Sequence, residues 1–150
     1  MEELELERKY VEERVCILKA LRKHFGDDVV EIAAQAKKEL IARRIREQYA
    51  GEIPVDLRRF FEIIFGDFEG IERIIEFEVV KQSERELEVR IKRCWYAEIY
   101  RALGAADIGE KLVCDMDPAM NRALNPRIVM ERPKKLMNGD ECCVFRYKLA

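Results

Sequence analysis

Apolar residues recur every three or four positions through the first half of this chain, and every second position in two later stretches. Leu4, Val11, Val15, Leu18 and Phe25 fall at helical spacing, and Gly26 supplies a stop. Asp27 stands where a cap is expected for a second helix carrying Val30, Ala33, Ala34, Lys37, Leu40, Ile41, Ile45 and Tyr49. Gly51 and Pro54 close that helix. Asp56 caps a third, with Leu57, Phe60, Phe61 and Ile64 on one face and Gly66 at its end. Ile75, Phe77 and Val79 then alternate with glutamates. After Gln82-Ser83, Leu87, Val89 and Ile91 alternate with charged residues, which predicts an antiparallel hairpin with one wet face.

Two short helices are expected next. One spans residues 95–103 and stops at Gly104. The other is opened by Asp107 and Glu110 at capping-box spacing. Asp117-Pro118 reads as a cap with proline at the first helical position, restarting a helix over 119–124 that ends at Asn125-Pro126. A short strand over 128–132 and a turn at Asn138-Gly139 lead to a last strand, with Cys143, Phe145, Tyr147 and Leu149 on one face. The order predicts an α+β fold: N-terminal helices followed by β-β-α-α-β-β, with a four-stranded antiparallel sheet packed against helices. No linker or repeat interrupts it. A single domain over 1–150 is expected, mostly helical over 1–70, with the sheet and the cysteine motifs in 71–150.

Composition narrows the chemistry. The chain has 150 residues, 49% of them hydrophobic, enough for one core. Charged residues make up 39% at a net charge of -2, which describes a mixed solvated surface rather than a nucleic-acid footprint. No apolar run is long enough for a membrane span, and the acidic N-terminus lacks the features of a signal peptide, so a cytoplasmic protein with reduced thiols is expected. There is no threonine, Ser83 is the only serine, and His24 is the only histidine. Ser83 falls in the hairpin turn, so a Ser-His-Asp triad is excluded. No phosphate loop, dinucleotide fingerprint or His-rich metal motif occurs. Cys, Asp, Glu, Lys, Arg and Tyr remain for chemistry.

Four of the five cysteines lie in the second half: Cys94, Cys114, Cys142 and Cys143. Cys94 ends a strand, Cys114 lies in a helix a turn from Asp117, and Cys143 faces inward on the last strand. Two readings stand. Three thiolates plus water would form an open zinc site that activates that water. Alternatively, all three are buried free thiols that pack as small hydrophobes. Cys142, the strand neighbour of Cys143, should point the other way. Cys16 reads as packing, His24 as a surface residue near a helix end, and Asp115 as exposed. Asp117 is either a helix cap or the site carboxylate, and Trp95 and Tyr96 are either core or pocket lining.

At these residues the chain resembles the L-2-amino-thiazoline-4-carboxylic acid hydrolase family. The resemblance lies in Cys94-Trp95-Tyr96, in Cys114-Asp115-Met116-Asp117, in Asn125-Pro126, and in Gly139 leading to Cys143-Val144-Phe145. It covers roughly residues 90 to 147 and implies Cys94, Cys114, Asp117, Asn125 and Cys143 as site residues. The expected function is hydrolysis of a C–N bond in a small cyclic amidine such as 2-amino-thiazoline-4-carboxylate. Water adds to the ring carbon between nitrogen and sulfur, and the ring opens to an N-carbamoyl product. Cys114, Asp117 and Cys143 are the expected catalytic residues, and Cys94, Tyr96 and Asn125 the expected substrate contacts. Cys94, Cys114 and Cys143 hold zinc, or one thiolate attacks directly, while Asp117 moves the proton. Arg146 is a candidate for the substrate carboxylate, although its strand face points outward.

The layout also resembles, more distantly, vinyl-reductase-type ligand-binding domains and the transport-particle fold. That implies an alternative of another class: a non-catalytic small-ligand, metal-binding or redox-sensing module. Expected partners are a small molecule and a second copy of the chain, with neither nucleic acid nor membrane.

Overall fold

A computed structural model describes residues 2–67 and 70–150 of the chain. Helices α1 (Glu2–Phe25), α2 (Asp28–Gln48), α3 (Leu57–Phe65) and α4 (Ile71–Ile74) precede the hairpin β1 (Ile75–Gln82) and β2 (Glu86–Cys94). Helices α5 (Trp95–Ala102) and α6 (Ala106–Gly109) follow. A π-helical turn (Glu110–Cys114) leads into α7 (Met116–Leu124). Strand β3 (Ile128–Lys134), a 3-10 turn (Leu136–Asn138) and β4 (Cys143–Leu149) complete the chain. The sheet order is β1-β2-β4-β3, antiparallel throughout, so the two hairpins join through β2 and β4 as expected. No helix among the described residues is long and apolar enough to cross a membrane.

Sequence signals set most boundaries. The Asp56 side chain accepts from the Arg59 N–H at 2.8 Å and caps α3. Ser83 Oγ accepts from the backbone N–H groups of Arg85 and Glu86 and closes the first hairpin. Gly139 leaves the 3-10 turn with φ +91°, a conformation that favours glycine.

Three expected caps are absent. Asp27 precedes α2, but its side chain makes no cap bond. The Asp107 carboxylate is taken by the Arg22 guanidinium of α1, so α6 starts without a capping box. Helix α7 begins at Met116, before the Asp-Pro pair, and Asp117 lies inside its first turn. A cap must precede the helix it closes, so Asp117 is released from that role.

The apolar residues form two clusters. One packs α1, α2, α5, α6 and the π turn around Val11, Val15, Ala34, Tyr100, Ile108 and Leu112. The other packs α3 on the sheet around Phe60, Leu87, Val89, Ile91, Cys143 and Tyr147. Cys94 and Leu136 touch both. The strand-to-helix junction of β2 and α5 is therefore the seam where the two clusters meet. Phe25, assigned to the core stripe by its spacing, is instead 74% exposed, because α1 ends beyond the edge of its cluster.

Candidate functional site

Two backbone irregularities build the site at this seam. The first is the π turn, closed by the bond from Asp115 N–H to Glu110 O. Such turns widen a helix locally and recur at functional sites. This one carries Cys114 and places Asp115 and Asp117 just after it. Its displaced carbonyls are met by side chains: Lys37 donates to Leu112 O at 2.6 Å, and Arg132 donates to Cys114 O. The second irregularity is a bulge in β3 between Glu131 and Lys134, where Arg132 and Pro133 interrupt the register against β4. A bulge re-aims the side chain it carries, and edge strand β3 tolerates a proline that donates no ladder bond.

The bulge delivers Arg132 to the acidic end of α7. Its guanidinium lies 3.5 Å from Asp115 Oδ1 and 3.6 Å from Asp117 Oδ2, with 14% of the side chain exposed. Asp115 is thus paired rather than free on the surface. Burial raises the Asp117 carboxyl to about 7, and the Asp115 charge adds to that; the Arg132 and Lys135 charges oppose it. Lys135 is itself held by Glu110 at 2.6 Å.

The three expected cysteines are electrostatic neighbours of this carboxyl and of one another. Burial, the Asp117 charge, and the thiols of Cys94 and Cys143 push Cys114 up to about 12. Burial pushes Cys143 up to about 11, although the Leu136 N–H donates to its Sγ at 3.3 Å. Burial also raises Cys94, which stands at the N-terminus of α5. The N–H groups of Ala97 and Tyr96 face it without cap geometry and partly offset that rise. The Tyr147 hydroxyl belongs to the same environment: burial holds it far above its usual value, and the Asp117 charge adds to this.

The donor set does not fit the expected zinc. Among the described residues, no three or more His, Cys, Asp or Glu side chains are grouped to hold a metal ion. Cys142 is buried and stands just before β4, which begins at Cys143. Cys16 is exposed on α1, away from the seam, and is not packed into the core.

Two expected substrate contacts are engaged elsewhere. The Tyr96 hydroxyl faces Glu7 of α1 at 3.4 Å, and burial raises it to about 12. Asn125 donates to Val55 O at 2.8 Å and accepts from Arg127 N–H at 2.9 Å, so both ends of its buried amide serve the backbone. Arg146 pairs with Glu88 on the wet face of the sheet. The cation that reaches the site is Arg132. Its signal in the sequence was its phase: Ile128, Met130 and Arg132 alternate with Val129 and Glu131, which sets a charge on an otherwise apolar strand face.

A cavity of about 510 Å³ opens onto Cys94 and Leu136, walled by Lys92, Arg93, Glu98 and Arg101. Arg93 is tied to Glu98 and Lys92 to Glu78, which leaves Arg101 on that wall.

A four-stranded antiparallel sheet packed against helices, with a partly buried thiol, carboxyl and guanidinium group at the seam of its two apolar clusters, defines an α+β protein. The chain belongs to the L-2-amino-thiazoline-4-carboxylic acid hydrolase family, whose model matches residues 5–147. No curated protein matches the chain in sequence. Among solved structures, it is similar to a trafficking protein particle complex subunit 3 from Naegleria fowleri covalently bound to palmitic acid. That match has a TM-score of 0.59 and 12% identity over 97% of this chain and 96% of that one. It is also similar to the phenol-responsive sensory domain of the transcription activator PoxR with phenol. Here the TM-score is 0.52 at 10% identity, over 91% of this chain and 73% of that one. At these identities the likeness concerns the fold alone.

Proposed function

We propose that the chain hydrolyses a small cyclic amidine bearing a carboxylate, of the 2-amino-thiazoline-4-carboxylate kind. The observation that carries this is the Asp117 carboxyl, raised to about 7 beside Arg132 and three protonated thiols. Near neutral pH such a group both accepts and returns a proton, which is what addition followed by ring opening requires. The ionised Asp117 takes a proton from water as the oxygen adds to the ring carbon between nitrogen and sulfur. Asp117 passes that proton to the ring nitrogen as the amidine double bond becomes a single bond. The carbon–sulfur bond then breaks as the added hydroxyl gives its remaining proton to Asp117 and becomes the carbonyl of the N-carbamoyl product, and Asp117 delivers that proton to the departing sulfur.

Arg132 holds Asp117 in place and limits the rise of its pKa. The Tyr147 hydroxyl, kept protonated, is a donor for charge developing on oxygen. The Cys114 and Cys143 thiols form a soft, weakly donating wall against the ring, and their raised pKa values count against direct thiolate attack. In this reading Arg101, on the wall of the cavity that opens onto Cys94, meets the substrate carboxylate.

The same raised thiols favour a second reading, a module that binds a small ligand without turning it over. The neighbour crystallised with phenol and the one carrying palmitic acid support it. One experiment separates the two: incubate the chain with the thiazoline carboxylate, follow the N-carbamoyl thiol released, and measure binding by calorimetry in parallel. Turnover lost in Asp117→Asn supports the hydrolase. Binding without turnover in the wild type supports the module.

A further inference from the structure

Helix α1 carries a second apolar face that its own core does not use. Val11, Val15 and Leu18 are buried against α2 and α5. Leu6, Tyr10, Ile17 and Leu21 lie on the adjoining face, each between 39% and 52% exposed. Beside them runs a groove of about 690 Å³ between α1 and α2, lined by Tyr10, Ile17, Leu18, Ala33, Leu40 and Leu112. An exposed apolar stripe along such a groove, crossed at its middle by Glu13 and Arg14, marks an interaction surface.

The charge pattern of α1 says what covers it. The first turn is acidic, with Glu2, Glu3 and Glu5, and the last is basic, with Arg22, Lys23 and His24. Two copies of α1 laid antiparallel bring each acidic turn to the other's basic turn and oppose their dipoles favourably. The apolar positions obey the same symmetry. Reflection about the point between Glu13 and Arg14 sets Leu6 on the partner's Leu21, Tyr10 on the partner's Ile17, Glu3 on the partner's His24, and Glu13 on the partner's Arg14. An isologous two-fold contact requires that kind of self-complementarity. A helix of 24 residues offers roughly 36 Å of contact, long enough for a specific interface.

We propose that the chain is a homodimer in solution, held by antiparallel packing of α1 against its counterpart, with the stripe from Leu6 to Leu21 at its centre.

Sedimentation velocity on the full chain tests this. The wild type should run at twice its 17.7 kDa mass at low micromolar concentration. Ile17→Glu should weaken association at least tenfold while the circular dichroism spectrum stays native; Tyr10→Glu gives the same readout if the first variant fails to fold. Charge reversal tests the antiparallel geometry. A Glu3→Lys/Glu5→Lys chain and a Lys23→Glu/His24→Glu chain should each dimerise poorly alone. Mixed one to one, they should form a heterodimer, because each altered end then meets its opposite. A wild type that stays monomeric, a dimer that survives both core substitutions, or a mixture that does not pair would each overturn the proposal.

Discussion

At the scale of the residue, Asp117 sets the behaviour of the site. Its carboxyl is raised from an ordinary value of 3.8 to about 7, so the folded chain holds a proton there that the unfolded chain releases. Stability from this group is complete below about pH 4 and is lost as pH rises through about 7. Asp117→Asn removes that loss. Urea titrations should show the variant gaining on the wild type between pH 5 and pH 8 by on the order of 1–3 kcal/mol. Hydrolysis requires the ionised form, so wild-type kcat/KM should climb through about pH 7. Asp117→Asn should lower kcat by about 100-fold or more. Arg132 opposes the shift, so Arg132→Met should move the midpoint of the pH–rate profile upward; an unmoved midpoint would assign the profile to another group.

At the scale of the element, the site depends on irregular backbone. The alternation of Leu87, Val89 and Ile91, and of Cys143, Phe145 and Tyr147, made the sheet and its pairing legible, because period two follows from strand geometry. Cys94, Cys114, Cys143 and Asp117 were legible as residue types in order, and that order says nothing of how closely they are grouped. What escaped was Arg132, and with it the release of Asp117 from capping. Both depend on a bulge and a π turn, which add or displace one residue; the phase of Arg132 sets a charge on an apolar strand face, but no periodicity says that a bulge turns it to Asp115 and Asp117. Tyr96 and Asn125 left the expected set for a different reason: their partners come from α1 and from the loop before α3, far off in sequence.

Gly109, just before the π turn, shows how tightly the turn is held. A Cβ there would sit 2.7 Å from the Tyr100 ring and 2.7 Å from Met137 Sδ. Gly109→Ala should cost about 1–3 kcal/mol by overpacking, read as a lower urea midpoint at unchanged slope.

At the scale of the whole molecule, the two apolar clusters share Cys94 and Leu136. A seam that contributes to both should make them unfold together. Fluorescence of Trp95, the one tryptophan, and far-UV dichroism should therefore report one coincident transition in urea. Two separated transitions would mean that the helical and sheet clusters are independent. Leu136→Ala should destabilise the chain by about 1–3 kcal/mol, less than a fully buried leucine because Leu136 is half-buried.

The sheet remains open at both sides, and open sides invite other strands. Strand β1 is irregular at Glu76/Phe77 and again at Val79/Lys81. Strand β3 is broken by Arg132 and Pro133. A strand that bends, twists or lacks a donor is a poor template for another chain. The Arg132-Pro133 bulge therefore has a second effect, distant from any substrate. By aiming a guanidinium at Asp115 and Asp117, it also spoils the outer rim of the sheet as a seed for amyloid-like growth, so the residues that hold those carboxylates also protect the protein when it is crowded.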